Sequence, residues 1–131
     1  MKTLNRIIVI DDDLVNNMIC RQTIKKTDPE LEVKTFDIPE KGFEFIENEY
    51  PSCCVETTSI LFLDINMPSW TGWEFLEYFE KLDEKVKKMF KIYMLSSSID
   101  VLDEERAFNN KNVVDYLRKP LLKGTLMKIL H

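Results

Sequence analysis

Leu61-Phe62-Leu63-Asp64-Ile65-Asn66-Met67-Pro68-Ser69-Trp70-Thr71-Gly72 is the stretch on which the reading of the chain turns. An apolar run, Ile60 to Leu63, ends abruptly in one carboxylate. A loop punctuated by Pro68 and Gly72 follows, and a helical pattern begins at Gly72. A short continuous apolar run of this kind suits a strand buried on both faces. An acid at its end is turned toward solvent but stands on a rigid base. Three other runs end comparably: Ile7 to Ile10 in Asp11-Asp12-Asp13, Ile92 to Leu95 in Ser96-Ser97-Ser98, and Val113 to Leu117 just before Lys119-Pro120.

Working outward, helical patterns fill the gaps between the runs. Leu14 to about Lys26 reads as a helix capped by one of the three preceding aspartates. Asp28-Pro29 ends it, because the residue before proline resists the helical region. Leu31 to Phe36 alternates and reads as a second, more peripheral strand. Pro39 opens the next helix, with Phe43, Ile46 and Tyr50 on one apolar face, and Pro51 to Thr58 reads as a loop. The clearest helix is predicted over Gly72 to about Lys88. Phe75, Phe79, Leu82 and Val86 form its stripe, and Glu74, Glu77, Glu80 and Glu84 lie outside it. Residues 99–109 read as a weakly amphipathic helix, and Leu122, Leu126 and Ile129 mark a short final one weakened by Gly124. Five β-α units in alternation imply a parallel sheet with helices on both faces. In such a sheet ligands bind beyond the carboxyl ends of the strands, where the polar residues fall.

The bulk numbers fit one domain. The chain has 131 residues, 44% apolar and 31% charged, and a domain of about this size buries roughly 68–70% of its unfolded surface. No run approaches the ~18 apolar residues of a membrane span. The N-terminus lacks a signal-peptide cleavage site, which reads as a cytoplasmic protein. A net charge of −5 with no basic stripe argues against direct nucleic-acid binding. Lys85, Lys87, Lys88 and Lys91 read as a solvated helix end. Cys20, Cys53 and Cys54 lack metal-ligand spacing and read as free thiols in a reducing compartment. Trp70 reads as a packing residue of the loop.

If the first and third strands are neighbours, Asp11, Asp12 and Asp64 converge. Like charges about 4 Å apart repel by several kcal/mol at an effective dielectric near 20, so the cluster needs a cation or a raised pKa. A small hard cation with oxygen ligands is the natural partner, and Mg²⁺ takes one or two carboxylates plus waters and a phosphate. Helix capping explains one of the three N-terminal acids but not Asp64. Ser96 can donate to an anion, and Lys119 can pair with the acids or with a phosphoryl group. These parts suit phosphoryl transfer to a carboxylate nucleophile. Asp64, alone at its strand end, is the expected nucleophile. Asp11 and Asp12 are expected to hold metal, Lys119 to neutralise the anion and Ser96 to bind a phosphoryl oxygen.

Val9-Ile10-Asp11-Asp12, Asp64-x-x-Met67-Pro68-x-x-x-Gly72, Met94-Leu95-Ser96-Ser97 and Tyr116-x-x-Lys119-Pro120 together resemble the receiver domain of two-component response regulators over nearly the whole chain, residues 1–131. The resemblance implies a flavodoxin-like (βα)5 fold with strand order 2-1-3-4-5. It implies that Asp64 accepts a phosphoryl group from a histidine of a sensor histidine kinase or histidine phosphotransfer protein, and that a downstream protein target reads the result. It further implies Mg²⁺ bound directly by Asp12, Asp64 and the Asn66 carbonyl, with Asp11 acting through water, and a cis Lys119-Pro120 bond. Ser96 and Tyr116 fall where family members switch, remodelling the face made by the fourth helix, fifth strand and fifth helix. Asn66 and Ser98 fall where the family tunes water access to the acyl phosphate, and a labile phosphate is the expectation. Ser97 replaces the usual small apolar residue, and Asn109-Asn110-Lys111-Asn112 lacks the usual glycine-alanine pair.

Two other readings compete. Asp11-x-Asp13 after an apolar strand also resembles the nucleophile motif of haloacid-dehalogenase phosphatases, with Asp11 as nucleophile and Asp13 as acid/base. That family needs an acidic pair after the lysine, and no acid follows Pro120. It also leaves Asp64-x-x-Met67-Pro68 unexplained. The second is a degenerate receiver that serves only as a binding scaffold. Since the chain ends at His131, soon after its last helix, a stand-alone receiver or a fragment of a longer protein is expected rather than a chain with its own output domain.

Overall fold

The computed structural model describes residues 3–50, 57–98 and 100–130. Its elements are β1 (Thr3–Ile10), α1 (Leu14–Thr27), β2 (Glu32–Phe36), α2 (Pro39–Glu49), β3 (Thr57–Asp64), α3 (Gly72–Glu80), α4 (Glu84–Lys87), β4 (Phe90–Ser96), α5 (Val101–Phe108), β5 (Val113–Arg118) and α6 (Lys123–Leu130). The five strands form one parallel sheet in the order β2-β1-β3-β4-β5. This is the flavodoxin-like order, with β1 and β3 side by side in the middle.

Alternation along the central strands builds two cores. Ile8, Ile10, Leu61, Leu63, Ile92 and Met94 face one side, where they meet Ile46 of α2, Phe75, Leu76 and Phe79 of α3, and Ala107 of α5. Ile7, Val9, Ile60, Phe62, Tyr93 and Leu95 face the other, against Cys20 and Ile24 of α1 and Leu126 of α6. Each fully buried aliphatic or aromatic side chain of this kind contributes about 1.5–3 kcal/mol. Because both faces are covered, the middle strands are apolar through Ile7–Ile10, Ile60–Leu63 and Ile92–Leu95, and the next polar side chain along each lies at its carboxyl end.

Several boundaries differ from the sequence reading. Strands β1 and β3 start earlier than their apolar runs, with Thr3 opposite Thr57 and Leu4 opposite Thr58. Threonine is β-branched and pairs well at a strand start, so Thr57 and Thr58 belong to β3 rather than to the loop. The rest of that loop, 51–56, lies outside the described residues, as do Cys53, Cys54, Ile99 and His131.

The helix predicted over 72–88 is two helices. Helix α3 ends at Glu80, and the Asp83 side chain accepts from the Lys85 amide to cap α4. An aspartate that bonds the backbone locally competes with helix continuation. The turn keeps the apolar phase, so Val86 is still buried beside Phe79 and Leu82 packs against the same core. Two charged residues differ from expectation. Glu80 accepts from Asn112 and pairs with Lys87 and Lys111, instead of standing free outside the stripe. Lys87 is held between Glu80 and Glu84 and is mostly covered, rather than part of a solvated cluster.

Helix α5 explains its weak patterning. Val101, Leu102 and Phe108 are exposed and only Ala107 is fully buried. At the C-terminus Leu122 is 61% exposed and Leu121 takes the buried place, because α6 begins only at Lys123 and the residue before it points outward. The expected caps hold. Asp13 caps α1 by accepting from Val15 and Asn16, Pro39 is at the start of α2, and Asp28 ends α1. Among the described residues no helix is long and apolar enough to cross a membrane.

Candidate functional site

The carboxyl ends of β1, β3, β4 and β5 meet at one edge of the sheet. Asp11 follows β1, Asp64 ends β3, Ser96 ends β4 and Lys119 follows β5. Asp11 is fully buried and Asp64 nearly so, whereas Asp12 is exposed. One carboxylate oxygen from each of Asp11, Asp12 and Asp64 lies within 4.8 Å of the other two.

Lys119 closes the cluster. Its Nζ lies 2.6 Å from Asp11 Oδ2 and 3.1 Å from Asp64 Oδ1. The Lys119 amide donates to the Ser96 carbonyl at 2.7 Å, which ties the end of β5 to that of β4. The Lys119-Pro120 bond is cis, as the family resemblance implied. Burial and the nearby Asp11 charge push the Asp64 carboxyl up to about 7, against the opposing pull of Lys119. Burial alone would lower the Lys119 ammonium, but its hydrogen bonds and charge contact with Asp11 and Asp64 leave it raised. One lysine therefore serves two acids, which leaves a deficit of positive charge.

The acids have different duties. Asp11 Oδ1 accepts from the Asp13 amide at 2.9 Å, and Oδ2 accepts from Asn16 Nδ2 at 2.7 Å as well as from Lys119. Both oxygens are thus engaged inside the protein. Asp12 is exposed, whereas Asp64, expected to face solvent, is nearly buried at the base of the cluster, with Asn66 exposed two residues after it. The donor set is hard, anionic and open to water on one side, which fits a small divalent cation with several water ligands. Asn16 and Asn17 were not singled out from sequence. The available signal was two adjacent asparagines, poor helix formers, inside the first turns of a helix that starts at the acid cluster.

Gly72 fixes the loop after Asp64. Its amide donates to the Ile65 carbonyl at 2.8 Å. A Cβ there would lie 2.6 Å from the Asp64 carbonyl oxygen and 2.9 Å from Met94 Cε. Only glycine allows the start of α3 to approach the end of β3 so closely. Thr71 and Glu74 form a capping box that begins the helix at that point. Trp70 is a packing residue, stacked on Tyr78 at 4.4 Å between ring centroids and edge-on to Phe43.

Ser96 and Tyr116 meet on one atom. Ser96 Oγ donates to the Ser98 carbonyl at 2.6 Å, and the Tyr116 hydroxyl donates to the same oxygen at 3.1 Å. The Asp100 amide donates to the Tyr116 hydroxyl at 3.4 Å. The Ser98 carbonyl therefore links the strand-end serine to the tyrosine of β5 and to the start of α5.

Comparison with known proteins agrees with this architecture. The fold is that of a doubly wound α/β domain with a strand-end acidic site. A family model described as response regulator receiver domain matches residues 7–131, and the chain belongs to that family. It is similar to a two-component response regulator from Cytophaga hutchinsonii, with 26% identity, a TM-score of 0.86, and 98% of this chain and 95% of that chain covered. A response regulator receiver protein from Dyadobacter fermentans DSM 18053 gives 25% identity and a TM-score of 0.85, covering 95% and 94%. The chemotaxis protein CheY4 of Vibrio cholerae, at 20% identity and a TM-score of 0.74 over 98% and 97% of the two chains, shares the fold. A comparison with curated protein sequences found no match. The family is one of two-component signalling domains rather than dedicated enzymes.

Proposed function

We propose that this receiver takes a phosphoryl group on Asp64 from a phosphohistidine of a sensor histidine kinase or histidine phosphotransfer protein. The observation that carries the reading is the Lys119 ammonium lying between Asp11 and Asp64 at 2.6 and 3.1 Å. An Asp64 oxygen attacks phosphorus and forms an O–P bond. The N–P bond breaks with its electron pair passing to the imidazole nitrogen, and the product is an acyl phosphate. Lys119 moves its contact from the Asp64 oxygen to a phosphoryl oxygen, and Ser96 Oγ turns from the Ser98 carbonyl to another. Asp12, Asp64 and the Asn66 carbonyl would hold Mg²⁺, with Asp11 acting through water. When bound, Mg²⁺ neutralises charge on the carboxylates and the transferring group.

The same residues support transfer from a small phosphodonor and loss of the phosphate to water. Asn66 and Ser98 border the acyl phosphate, and their small polar side chains admit water, so the phosphoprotein is short-lived. The switch is a shift in a pre-existing equilibrium. When Ser96 leaves the Ser98 carbonyl, that oxygen keeps Tyr116 as its side-chain donor among the described residues, and the face built from α5, β5 and α6 is remodelled for a downstream protein target. Neither nucleic acid nor membrane is a direct partner in this reading. The phosphatase-like alternative is disfavoured because both Asp11 oxygens are already engaged and the residue is fully buried.

Intact mass after incubation with acetyl phosphate and Mg²⁺, beside Asp64→Asn, tests the reading. One added phosphoryl group that requires Asp64 and Mg²⁺ is expected. A folded wild type that gains none from acetyl phosphate or from a phosphorylated histidine phosphotransfer protein would be a binding scaffold. An adduct kept by Asp64→Asn but lost by Asp11→Asn would restore the phosphatase-like chemistry.

A further inference from the structure

Asp11 is held from α1 as well as from Lys119. Asn16 Nδ2 donates to its Oδ2 at 2.7 Å, and Asn17 Nδ2 donates to its main-chain carbonyl at 2.8 Å. Asn16 is only 6% exposed, so water does not replace that donor. Its Nδ2 also lies 3.7 Å from Cys20 Sγ, a weak acceptor. A buried amide is costly unless bonded, and an apolar side chain would fill a packing position on α1 better. The placement of Asn16 is accounted for by what it bonds.

What it bonds is a carboxylate that needs orienting. Asp11 Oδ2 receives Lys119 and Asn16, and Oδ1 receives the Asp13 amide. With Lys119 as the sole side-chain donor, the carboxylate can rotate, and the ammonium that tracks it leaves Asp64. A second donor from a rigid helix fixes the plane of the group. We propose that Asn16 is a positioning residue for phosphoryl transfer: it holds the Asp11 carboxylate, so that Asp11 holds Lys119 at Asp64 and leaves the metal to Asp12 and Asp64. The proposal rests on the reading of Asp64 as the phosphoacceptor.

The test is a double-mutant cycle in the full chain. Asn16→Leu keeps the branching and heavy-atom count of the side chain and removes the donor, and Asn16→Ala is a second variant should leucine not fold. Folding is checked by circular dichroism, Mg²⁺ affinity by tryptophan fluorescence, and phosphorylation by intact mass with acetyl phosphate at saturating Mg²⁺. Loss of a residue that orients a ligand commonly costs about ten- to hundredfold in metal affinity or activity. A drop of that size in the maximal phosphorylation rate of a folded variant is expected, with weaker Mg²⁺ binding. In an Asp11→Asn background the same Asn16 substitution should leave Mg²⁺ affinity unchanged, because its only route is gone. An equal loss of affinity in both backgrounds, or an unchanged rate in the folded variant, overturns the proposal alone. A wild type that takes no phosphoryl group overturns the Asp64 reading and this proposal with it.

Discussion

Asp11 and Lys119 form an ion pair of 2.6 Å between a fully buried carboxylate and a lysine from the far side of the sheet. The pair joins the end of β1 to the segment after β5, with β3 and β4 between them in the sheet. Asp64 sits inside this span and borrows the same ammonium at 3.1 Å.

Burial and the Asp11 charge, only partly offset by that shared ammonium, set the pH dependence of the metal-free protein. Asp64 titrates near 7 when folded, raised by burial and by Asp11. Its unfolded value is the ordinary one, near 3.9. Between those values the folded state binds more protons than the unfolded state, so stability falls as pH rises from about 4 to about 7 and then levels. Asp64→Asn removes the ionisable group. It should be more stable than wild type at pH 8 by about 1–3 kcal/mol, with the gain vanishing toward pH 4. Urea unfolding at pH 4, 6 and 8 without metal measures this, and a gain that is flat across the three would contradict it.

Mg²⁺ should offset the same deficit. A ligand bound only by the folded state adds about 2.7 kcal/mol at a concentration 100 times its dissociation constant. The thermal midpoint of wild type should rise with Mg²⁺ and saturate, while Asp12→Asn and Asp64→Asn respond weakly. Ca²⁺, which prefers more ligands and longer bonds, should stabilise less. Equal shifts in wild type and both variants would place the ion elsewhere.

The shared acceptor at Ser98 makes the switch testable. Ser96→Ala removes one of the two side-chain donors to that carbonyl. Amide shifts along α5, β5 and α6 should move on addition of beryllium fluoride, a phosphoryl mimic, in wild type. In Ser96→Ala the shifts near Asp64 should persist and those around Tyr116 should shrink. A mimic that binds near Asp64 and leaves that face unmoved in wild type would sink the coupling.

Gly72 predicts a steric effect. Its missing Cβ is the space used by the Asp64 carbonyl and Met94. Gly72→Ala should destabilise by about 1–3 kcal/mol, as overpacking does, and slow phosphorylation by shifting the Asp64 backbone. Gly124→Ala is the comparison, since a Cβ there meets nothing within 4 Å and replaces glycine inside α6. It should stabilise by about 0.5–1 kcal/mol. Urea midpoints of the two variants decide the matter, and similar signs at both positions would contradict the packing argument.

The class of fold, and where polar chemistry lies in it, follow from the order of residues alone. Runs such as Ile7 to Ile10 and Ile60 to Leu63 are apolar at consecutive positions, and their regular spacing between helical patterns marks them as strands covered on both faces. Their first polar residues, Asp11 and Asp64, then had to stand at the sheet edge. A cap among Asp11 to Asp13 follows from the sequence too, since a cap acts within three residues of itself, and Asp13 fills it. Tertiary structure decided what depends on distant partners. The covered Lys87 turns on Glu80, which Asn112 also holds, and the outward Leu122 on where α6 begins, while the break at Asp83 is a local cap that the apolar stripe passes over. Spacing alone could not show that Asn16 and Lys119 share one Asp11 oxygen, or that Ser96 and Tyr116 share one carbonyl. Those contacts join residues up to 108 positions apart, counting from Asp11 to Lys119, and arise only once the strand order brings their ends together.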